Sequence, residues 1–393
     1  MGSINAHPGL LDRTVSQQVS LCPAINGIKL SRPLTALLSN VSITGYFRKR
    51  SGIHYNGLVP NQMPAADVDV TVELVRRLLA GQHQDLAGQP VEFLANGWDN
   101  AMFRLGDDLL VRLPRREPAA QILLNEQRWL PVLAPKVQLP IPAPERTGRP
   151  AHGYPFSWSV VPYLPGEPAA AADSLDLADA AGSVGRFLGS LHAPAPPDAP
   201  ANRFRGVPLA DRADAVAANL RLLSDRVDRD AVQRAWSAAL AAPVYCGPPR
   251  WLHGDLHPAN ILVSHGRVSG VIDFGDITAG DPATDLAVAW MLLPLEHHAA
   301  FRAAYRSARA VPARPAQRRA LDGVAPDGAA LDDVRLDDIR LDDAALDDAD
   351  WAALWTRARG WALNLAIVFL AHSADNPQLL NVGRRTLHRA LMP

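Results

Sequence analysis

The chain has few cysteines and lysines and no long apolar run. Its two cysteines, Cys22 and Cys246, are too few for a disulfide framework and match no metal-site spacing, so we expect reduced thiols. No stretch approaches the roughly 20 apolar residues of a membrane span. The N-terminus lacks the basic and then apolar run of a secretory signal. We therefore expect a cytoplasmic protein that does not enter a membrane.

Excess charge of one sign is also absent, because the net charge is −1. A nucleic-acid-binding protein would show a basic face, so we expect no nucleic-acid partner. The acidic charge is concentrated in residues 321–350, which hold eleven Asp and two Arg. In this segment a Leu precedes a pair of Asp every five residues, a period that fits neither one helix face nor one strand face. We interpret it as an acidic, solvated insertion, with a rim that attracts a cationic substrate as the alternative.

Residues 1–62 differ in composition from the rest of the chain. They hold two of its three lysines, five of its twelve isoleucines and five of its fourteen asparagines. We interpret them as an N-terminal extension that is dispensable for folding or disordered. Two further units are predicted, a small lobe over 63–163 and a larger lobe over 164–393 that contains the acidic insertion.

Hydrophobic periodicity predicts a β-rich small lobe and a mainly helical large lobe. In the small lobe we expect helices at Val70–Ala80 and Pro118–Leu133. We expect strands at Val91–Ala95, Ala101–Leu105, Leu109–Leu113 and Ser157–Val161. In the large lobe we expect a hairpin within Trp251–Ile272 and helices at Ala178–Leu191, Asp211–Leu240, Asp285–Leu293, Trp351–His372 and Pro377–Leu391. The predicted fold class is therefore α+β.

One motif carries most of the functional information. Asp255 and Asn260 stand five positions apart, and Asp273-Phe274-Gly275 follows thirteen residues after Asn260. Phosphoryl transfer uses such a set, in which one carboxylate orients an attacking hydroxyl while an Asn and an Asp hold the magnesium that neutralises ATP.

These residues resemble the aminoglycoside phosphotransferase family, small-molecule kinases built on the protein-kinase fold. The family pattern H-G-D-x-x-x-x-N…D-F/W-x-D is met at His253, Gly254, Asp255, Asn260, Asp273, Phe274 and Asp276. The resemblance implies that Asp255 is the catalytic carboxylate and that Asn260 and Asp273 are magnesium ligands. It further implies that His253, Asp276 and Asp285 support the catalytic loop. His257 is either a loop residue or a residue that points toward the substrate.

The small lobe departs from the family at one position. Arg112 stands where the family usually has a phosphate-binding Lys, and Glu126 on the following helix would be its ion-pair partner; the alternative is a surface Arg. The preceding turn, 96–100, matches no Walker or Gly-rich pattern, but with Asn100 it could cover the phosphates. Backbone groups from Val161 and Tyr163 onward would face adenine.

Together these features predict a kinase that uses ATP, or GTP as the alternative, with Mg²⁺ and a small hydroxylated substrate. An aminoglycoside-type antibiotic is the favoured acceptor, and a macrolide or another small metabolite is the alternative. A cationic acceptor would need acidic groups, for which Asp276, Glu296 and the 321–350 insertion are candidates. An apolar acceptor would need apolar walls, for which four tryptophans are candidates: Trp290, Trp351, Trp355 and Trp361. A pseudokinase that only binds nucleotide is a further alternative, supported by Arg112 alone.

Overall fold

The computed structural model describes residues 64–309 and 347–392. The predicted extension over 1–62 and most of the acidic insertion therefore lie outside the described residues. The predicted α+β class is confirmed, because an antiparallel sheet occupies the N-terminal part and helices dominate the C-terminal part. None of the helices in these described ranges is long and apolar enough to cross a membrane.

The N-terminal lobe is built on one five-stranded antiparallel sheet with the order β1-β2-β3-β5-β4. Its strands are β1 (Val91–Asn96), β2 (Asn100–Leu105), β3 (Leu109–Pro114), β4 (Arg146–Gly148) and β5 (Trp158–Pro162). Strands β2 and β3, both predicted, form a hairpin that turns at Gly106-Asp107-Asp108, with Leu105 opposite Leu109. The short edge strand β4 was not predicted, since three residues are too few to show alternation.

Two helices accompany this sheet. Helix α1 (Val72–Gln82) begins at Thr71, whose hydroxyl accepts a hydrogen bond from the Leu74 N–H at 3.2 Å. Helix α2 (Glu117–Leu133) follows β3, and its final turns join the core of the C-terminal lobe through Trp129 and Leu130. The sheet and α1 enclose a separate core. Two cores joined through α2 are the physical basis of the two lobes.

The C-terminal lobe packs helices around one long buried helix. The helices are α3 (Leu177–Leu191), α4 (Ala213–Leu223), α5 (Arg229–Leu240), α6 (Ala283–Leu286), α7 (Val288–Leu292), α8 (His298–Arg309), α9 (Asp348–His372) and α10 (Pro377–Leu391). Helix α9 is buried on all sides from Gly360 to Ile367, where Asn364 is the one polar residue, and contacts α4, α5, α6, α7 and α10. A helix with apolar residues all round belongs in a core.

Short strands position the catalytic segment on this helical lobe. The strands are β6 (Glu167–Pro168), β7 (Arg250–Leu252), β8 (Ile261–Ser264), β9 (Arg267–Val271) and β10 (Thr278–Gly280). Strands β8 and β9 form the predicted hairpin, and β10 pairs with β7. The loop 253–260 therefore leaves one strand and enters another, and both of its ends are held by backbone hydrogen bonds.

Two expectations for this lobe are wrong. The single helix predicted at Asp285–Leu293 is two short helices, α6 and α7, and Asp285 lies in the first turn of α6. An unbroken apolar run cannot reveal such a break, because its burial is the same in both cases. Cys246 is disulfide-bonded, which contradicts the expectation of a reduced thiol at this position.

Candidate active site

Asp255 is the centre of the candidate site. It is 2% exposed and is the third residue after β7. Its Oδ1 accepts a hydrogen bond from Nη2 of Arg205 at 2.8 Å. Its Oδ2 has no hydrogen-bond partner among the described residues, and Nε2 of His257 lies 3.4 Å from it. The carboxylate thus has one occupied oxygen and one that is open to a further donor.

The backbone before Asp255 requires glycine. Gly254 has φ +85°, in the left-handed region that other residues rarely adopt. A Cβ at this position would also collide with the backbone carbonyl oxygen of Asp276. Gly254 therefore lets two chain segments approach closely and brings Asp276 beside the catalytic loop.

His253 supports the loop from within the core. Its Nδ1 accepts a hydrogen bond from the Asp255 N–H at 3.2 Å, and its Nε2 faces the Ile272 carbonyl oxygen at 3.0 Å. Because one nitrogen must accept, the ring is neutral and Nε2 carries the proton. Burial lowers the pKa of His253, which agrees with a neutral ring. The structure places this residue as a link between the loop and the strand end that precedes Asp273.

Asp285 anchors the same loop from α6. Its Oδ2 accepts a hydrogen bond from the His253 N–H at 2.7 Å, and its Oδ1 accepts one from the Gly254 N–H at 2.9 Å. Nε2 of His192, at the end of α3, lies 3.2 Å from Oδ2. A carboxylate only accepts, so His192 donates to it, and the hydroxyl of Tyr305 lies 2.9 Å from the other ring nitrogen. Burial lowers the pKa of His192 and so favours its neutral form.

Asn260 and Asp273 are the two residues that the sequence predicts as metal ligands. Nδ2 of Asn260 donates to the Asp255 carbonyl oxygen at 2.9 Å, which leaves Oδ1 buried and without a partner among the described residues. Asp273 is half-buried and has φ +67°, a strained conformation for a non-glycine residue. The described residues contain no group of three or more His, Cys, Asp or Glu that could hold a metal ion. An open amide oxygen and one carboxylate fit magnesium, which keeps waters and takes phosphate oxygens as its other ligands.

Arg205 is a site residue that the sequence reading missed. Besides its bond to Asp255, its Nε lies 3.9 Å from Oδ2 of Asp276. Asp276 also accepts a hydrogen bond on Oδ1 from Nδ2 of Asn202 at 2.7 Å. Arg205 and Asn202 lie about fifty and seventy residues before their partners. No motif marks them, so no sequence signal could have assigned them to the site.

The charges of the two carboxyl groups differ because their surroundings differ. Burial alone raises the pKa of Asp255, but Arg205 and then His257 outweigh burial and hold the pKa well below its usual value. Burial raises the pKa of Asp276, and Arg205 only partly opposes this increase. Asp255 is therefore a firmly ionised carboxylate, and its neighbour takes up a proton more readily.

Arg112 and Glu126 form a buried pair in the N-terminal lobe. Nη1 of Arg112 donates to Oε2 of Glu126 at 2.6 Å, and Nη2 donates to Oε1 at 3.2 Å. Burial raises the pKa of Glu126, and the guanidinium beside it opposes the shift. One helical turn before Glu126, Ile122 packs against Gly275, since a Cβ at Gly275 would lie 3.3 Å from its Cγ2. Helix α2 thus brings this pair toward the loop that carries Asp273.

The turn between β1 and β2 is hydrogen-bonded to the two residues that follow β3, Arg115 and Arg116. Nη2 of Arg116 donates to Oδ1 of Asp99 at 2.6 Å, and Nη1 of Arg115 donates to the Gly97 carbonyl oxygen at 3.2 Å. Asn100 is buried, and its Oδ1 has no partner among the described residues. Arg115 and Arg116 are therefore bound to the turn.

Val161 and Tyr163 lie where β5 leaves the sheet. Val161 belongs to a small apolar cluster with Met102 and Leu110, separate from the main core of the sheet. The Tyr163 N–H donates to the Asp108 carbonyl oxygen at 2.7 Å, so this donor is already used. Any base that binds here would have to use other backbone groups of 161–164.

Most residues that the sequence offered as walls of an acceptor pocket lie in the core of the C-terminal lobe or on its surface. Trp290, Trp351 and Trp361 are buried in the core of the C-terminal lobe, and Trp355 stacks against the first two at its edge. Glu296 is exposed between α7 and α8. Among the candidates that lie within the described residues, only Asp276 is linked to Asp255, through Arg205.

A protein-family model described as the phosphotransferase enzyme family matches residues 90–324. This match spans more than half of the chain, and the chain belongs to that family. The protein is thus a small-molecule kinase. No curated protein is significantly similar to the chain.

Several solved structures are similar to the chain. The GDP complex of aminoglycoside 2'-phosphotransferase-IIIa is 20% identical, covers 82% of this chain and 99% of its own, and has a TM-score of 0.47. The apoenzyme of macrolide 2'-phosphotransferase MphH from Brachybacterium faecium is 19% identical, with coverage of 80% and 97% and a TM-score of 0.48. A complex described as APH(2")-IIa with streptomycin and ATP is 18% identical, with coverage of 61% and 86% and a TM-score of 0.41.

Proposed function

We propose that the protein transfers the γ-phosphate of ATP to a hydroxyl of a small molecule, and that Asp255 is its catalytic carboxylate. One observation carries the proposal. Oδ2 of Asp255 and Oδ1 of Asn260 are both buried and lack partners among the described residues, although a hydrogen bond joins the two residues. Buried polar atoms are normally paired, so a pair of open oxygens in one loop indicates ligands that bind there.

Asp255 would orient the acceptor. A substrate hydroxyl donating to Oδ2 would be aligned for in-line attack on the γ-phosphate. The low pKa of Asp255 makes it a weak base, which suits a loose transition state that needs little early proton removal. The proton would pass to Asp255 late, once the new bond to phosphorus has raised the acidity of the attacking oxygen.

Asn260 and Asp273 would hold magnesium through Oδ1 and the carboxylate. Bound there, magnesium neutralises the charge that the phosphates carry and develop during transfer. The protein's own contribution is the fixed position of the Asn260 amide, which its bond to the Asp255 carbonyl oxygen orients.

The nucleotide would lie between the lobes, with ATP preferred and GTP as the alternative. Arg112, held by Glu126, would bind the phosphates in place of the family's Lys, because a guanidinium can donate to two oxygens. The turn with Asn100 would cover the phosphates. The apolar cluster of Met102, Leu110 and Val161 would pack against the base.

An aminoglycoside-type antibiotic is the acceptor that we favour. Asp276 is partly exposed, with 22% of its side chain accessible, and lies beside the buried Asp255. An ammonium group would favour its ionised form and so oppose the effect of burial. A macrolide would need an apolar wall, and the candidate tryptophans are packed into the core. If this acceptor is right, expression of the protein would protect bacteria against that antibiotic class.

The test is ADP release with magnesium-ATP across aminoglycosides, macrolides and small metabolic alcohols. We expect stimulation by one class, and Asp255→Asn should lower kcat by about 10²–10⁴-fold with ATP binding retained. Asp225→Asn, at an exposed turn, is the matched control and should match the wild type. If ATP binds but is neither transferred to an acceptor nor hydrolysed, the pseudokinase alternative replaces this proposal.

A further inference from the structure

Arg205 lies on a segment, residues 200–206, that crosses the catalytic loop. The segment has no helix or strand, yet it is fixed by side chains and backbone groups from the elements that surround Asp255. Four hydrogen bonds hold it. At its start, Thr278 Oγ1 donates to the Pro200 carbonyl oxygen (2.8 Å) and Asn202 Nδ2 donates to Asp276 Oδ1 (2.7 Å). At its end, the Gly206 N–H donates to Thr284 Oγ1 (3.1 Å) and the Asp281 N–H donates to the Gly206 carbonyl oxygen (2.9 Å).

The backbone next to Arg205 is tightly constrained. Gly206 has φ +69°, and a Cβ there would lie 2.8 Å from Cδ1 of Leu252 and 3.2 Å from Cα of Gly280. Leu252 and Gly280 belong to β7 and β10, the pair of strands that leads into and out of the site. The 200–206 segment therefore rests directly on the scaffold of the catalytic loop, and Arg205 has little freedom to move.

The side chain of Arg205 is equally constrained. It is 6% exposed, its Nη2 donates to Oδ1 of Asp255 at 2.8 Å, and its Nε lies 3.9 Å from Oδ2 of Asp276. We propose that Arg205 is a positioning residue for phosphoryl transfer, which holds Oδ1 of Asp255 so that Oδ2 alone faces the acceptor hydroxyl. This inference rests on the proposed function, because it concerns the same carboxylate.

The physical reason is the geometry of a carboxylate. Its two oxygens are equivalent, and rotation about the last side-chain bond moves either one by more than 1 Å unless one is held. The remaining contact of Asp255, the 3.4 Å approach of His257 to Oδ2, is too long to fix it. Arg205 therefore selects the orientation in which the open oxygen is available. Misplacement by about 1 Å at a reacting centre costs about 10²-fold in rate.

The test compares Arg205→Met, Arg205→Lys and Arg203→Met with the wild type. Methionine keeps an unbranched side chain but removes the hydrogen bond, and lysine keeps one charged donor. Arg203 is exposed on the same segment and serves as the matched control. The measurements are kcat, KM for acceptor and for ATP, and the melting temperature of each variant.

Arg205→Met should lower kcat by about 10²-fold and change KM for ATP by less than about 3-fold. Arg205→Lys should recover at least about a tenth of the wild-type rate, because a charged donor can still reach Oδ1. Arg203→Met should behave as wild type. Full activity of folded Arg205→Met, or an equal loss in Arg203→Met, would overturn the inference, as would a change confined to the melting temperature.

The same set separates this inference from the proposed function. If the wild type phosphorylates none of the acceptors, slow hydrolysis of ATP, with water as acceptor, is compared instead. A lower hydrolysis rate in Arg205→Met would then support the positioning role although the acceptor assignment had failed. If the wild type neither transfers phosphate nor hydrolyses ATP, both proposals are wrong.

Discussion

Removing the Asp285 carboxylate tests how the catalytic loop is held. This carboxylate lies in the core and accepts from the His253 N–H, the Gly254 N–H and Nε2 of His192. Asp285→Ala leaves all three donors buried without a partner. Asp285→Asn keeps one acceptor oxygen but turns an amide N–H toward a donor, so it should lie between alanine and the wild type.

The expected loss in the free energy of unfolding follows from these three contacts. An unpaired buried donor costs about 1–3 kcal/mol, so three of them set a lower limit of about 3 kcal/mol for Asp285→Ala. Because two of the donors are backbone groups just before Asp255, we also expect kcat to fall by about 10²-fold in the folded variant.

Urea unfolding and steady-state kinetics measure the two effects. Asp198→Ala is the matched control, because Asp198 and its partner Arg128 are both about half exposed and their ion pair should contribute less than about 1 kcal/mol. A loss below about 1 kcal/mol for Asp285→Ala would refute the reasoning about unpaired donors. Unchanged kcat in a destabilised variant would instead show that the loop keeps its geometry without Asp285.

Two further predictions concern the same loop and its support. Gly254→Ala should destabilise the protein by more than about 1 kcal/mol and abolish turnover, because φ +85° and the Asp276 carbonyl oxygen exclude a Cβ; Gly88→Ala, which meets nothing within 4 Å, should match the wild type in unfolding and kinetics. Burial lowers the pKa of His192 below its unfolded value of about 6.5. The neutral ring therefore contributes its full stability above about pH 6.5. As the pH falls from there to the folded pKa, the free energy of unfolding decreases by up to about 1.4 kcal/mol per pH unit. Urea unfolding from pH 8 to 5 should therefore show a shallower decline in His192→Gln than in the wild type or in exposed His388→Gln, and equal slopes in all three would contradict it.

Local patterns were sufficient for much of the fold. The strands around Gly106-Asp107-Asp108 were predicted because alternation and a turn dipeptide are signals between neighbouring residues. Helix α10 begins and ends as predicted, at Pro377 and Leu391. The break between α6 and α7 was missed, since an evenly buried run has no periodicity to interrupt.

The residues of the candidate site also divide into those that the sequence predicted and those that it did not. Asp255 and Asn260 were found because phosphoryl transfer requires them at a short, set spacing in one loop. The pairing of Arg112 with Glu126 was predicted from the resemblance to the family, and the structure shows both hydrogen bonds. The roles assigned to these residues in catalysis stay predictions until the variants are measured.

By itself, the sequence determined the α+β class, the loop 253–260 and the chemistry that its side chains can perform. These properties depend on residues that are close together in the chain, where spacing translates directly into geometry. Only the tertiary structure decided that Arg205 holds one oxygen of Asp255 and that His192 lies on the Asp285 carboxylate. Both contacts join segments at least fifty residues apart, and packing of the whole lobe, rather than any local pattern, brings such segments together.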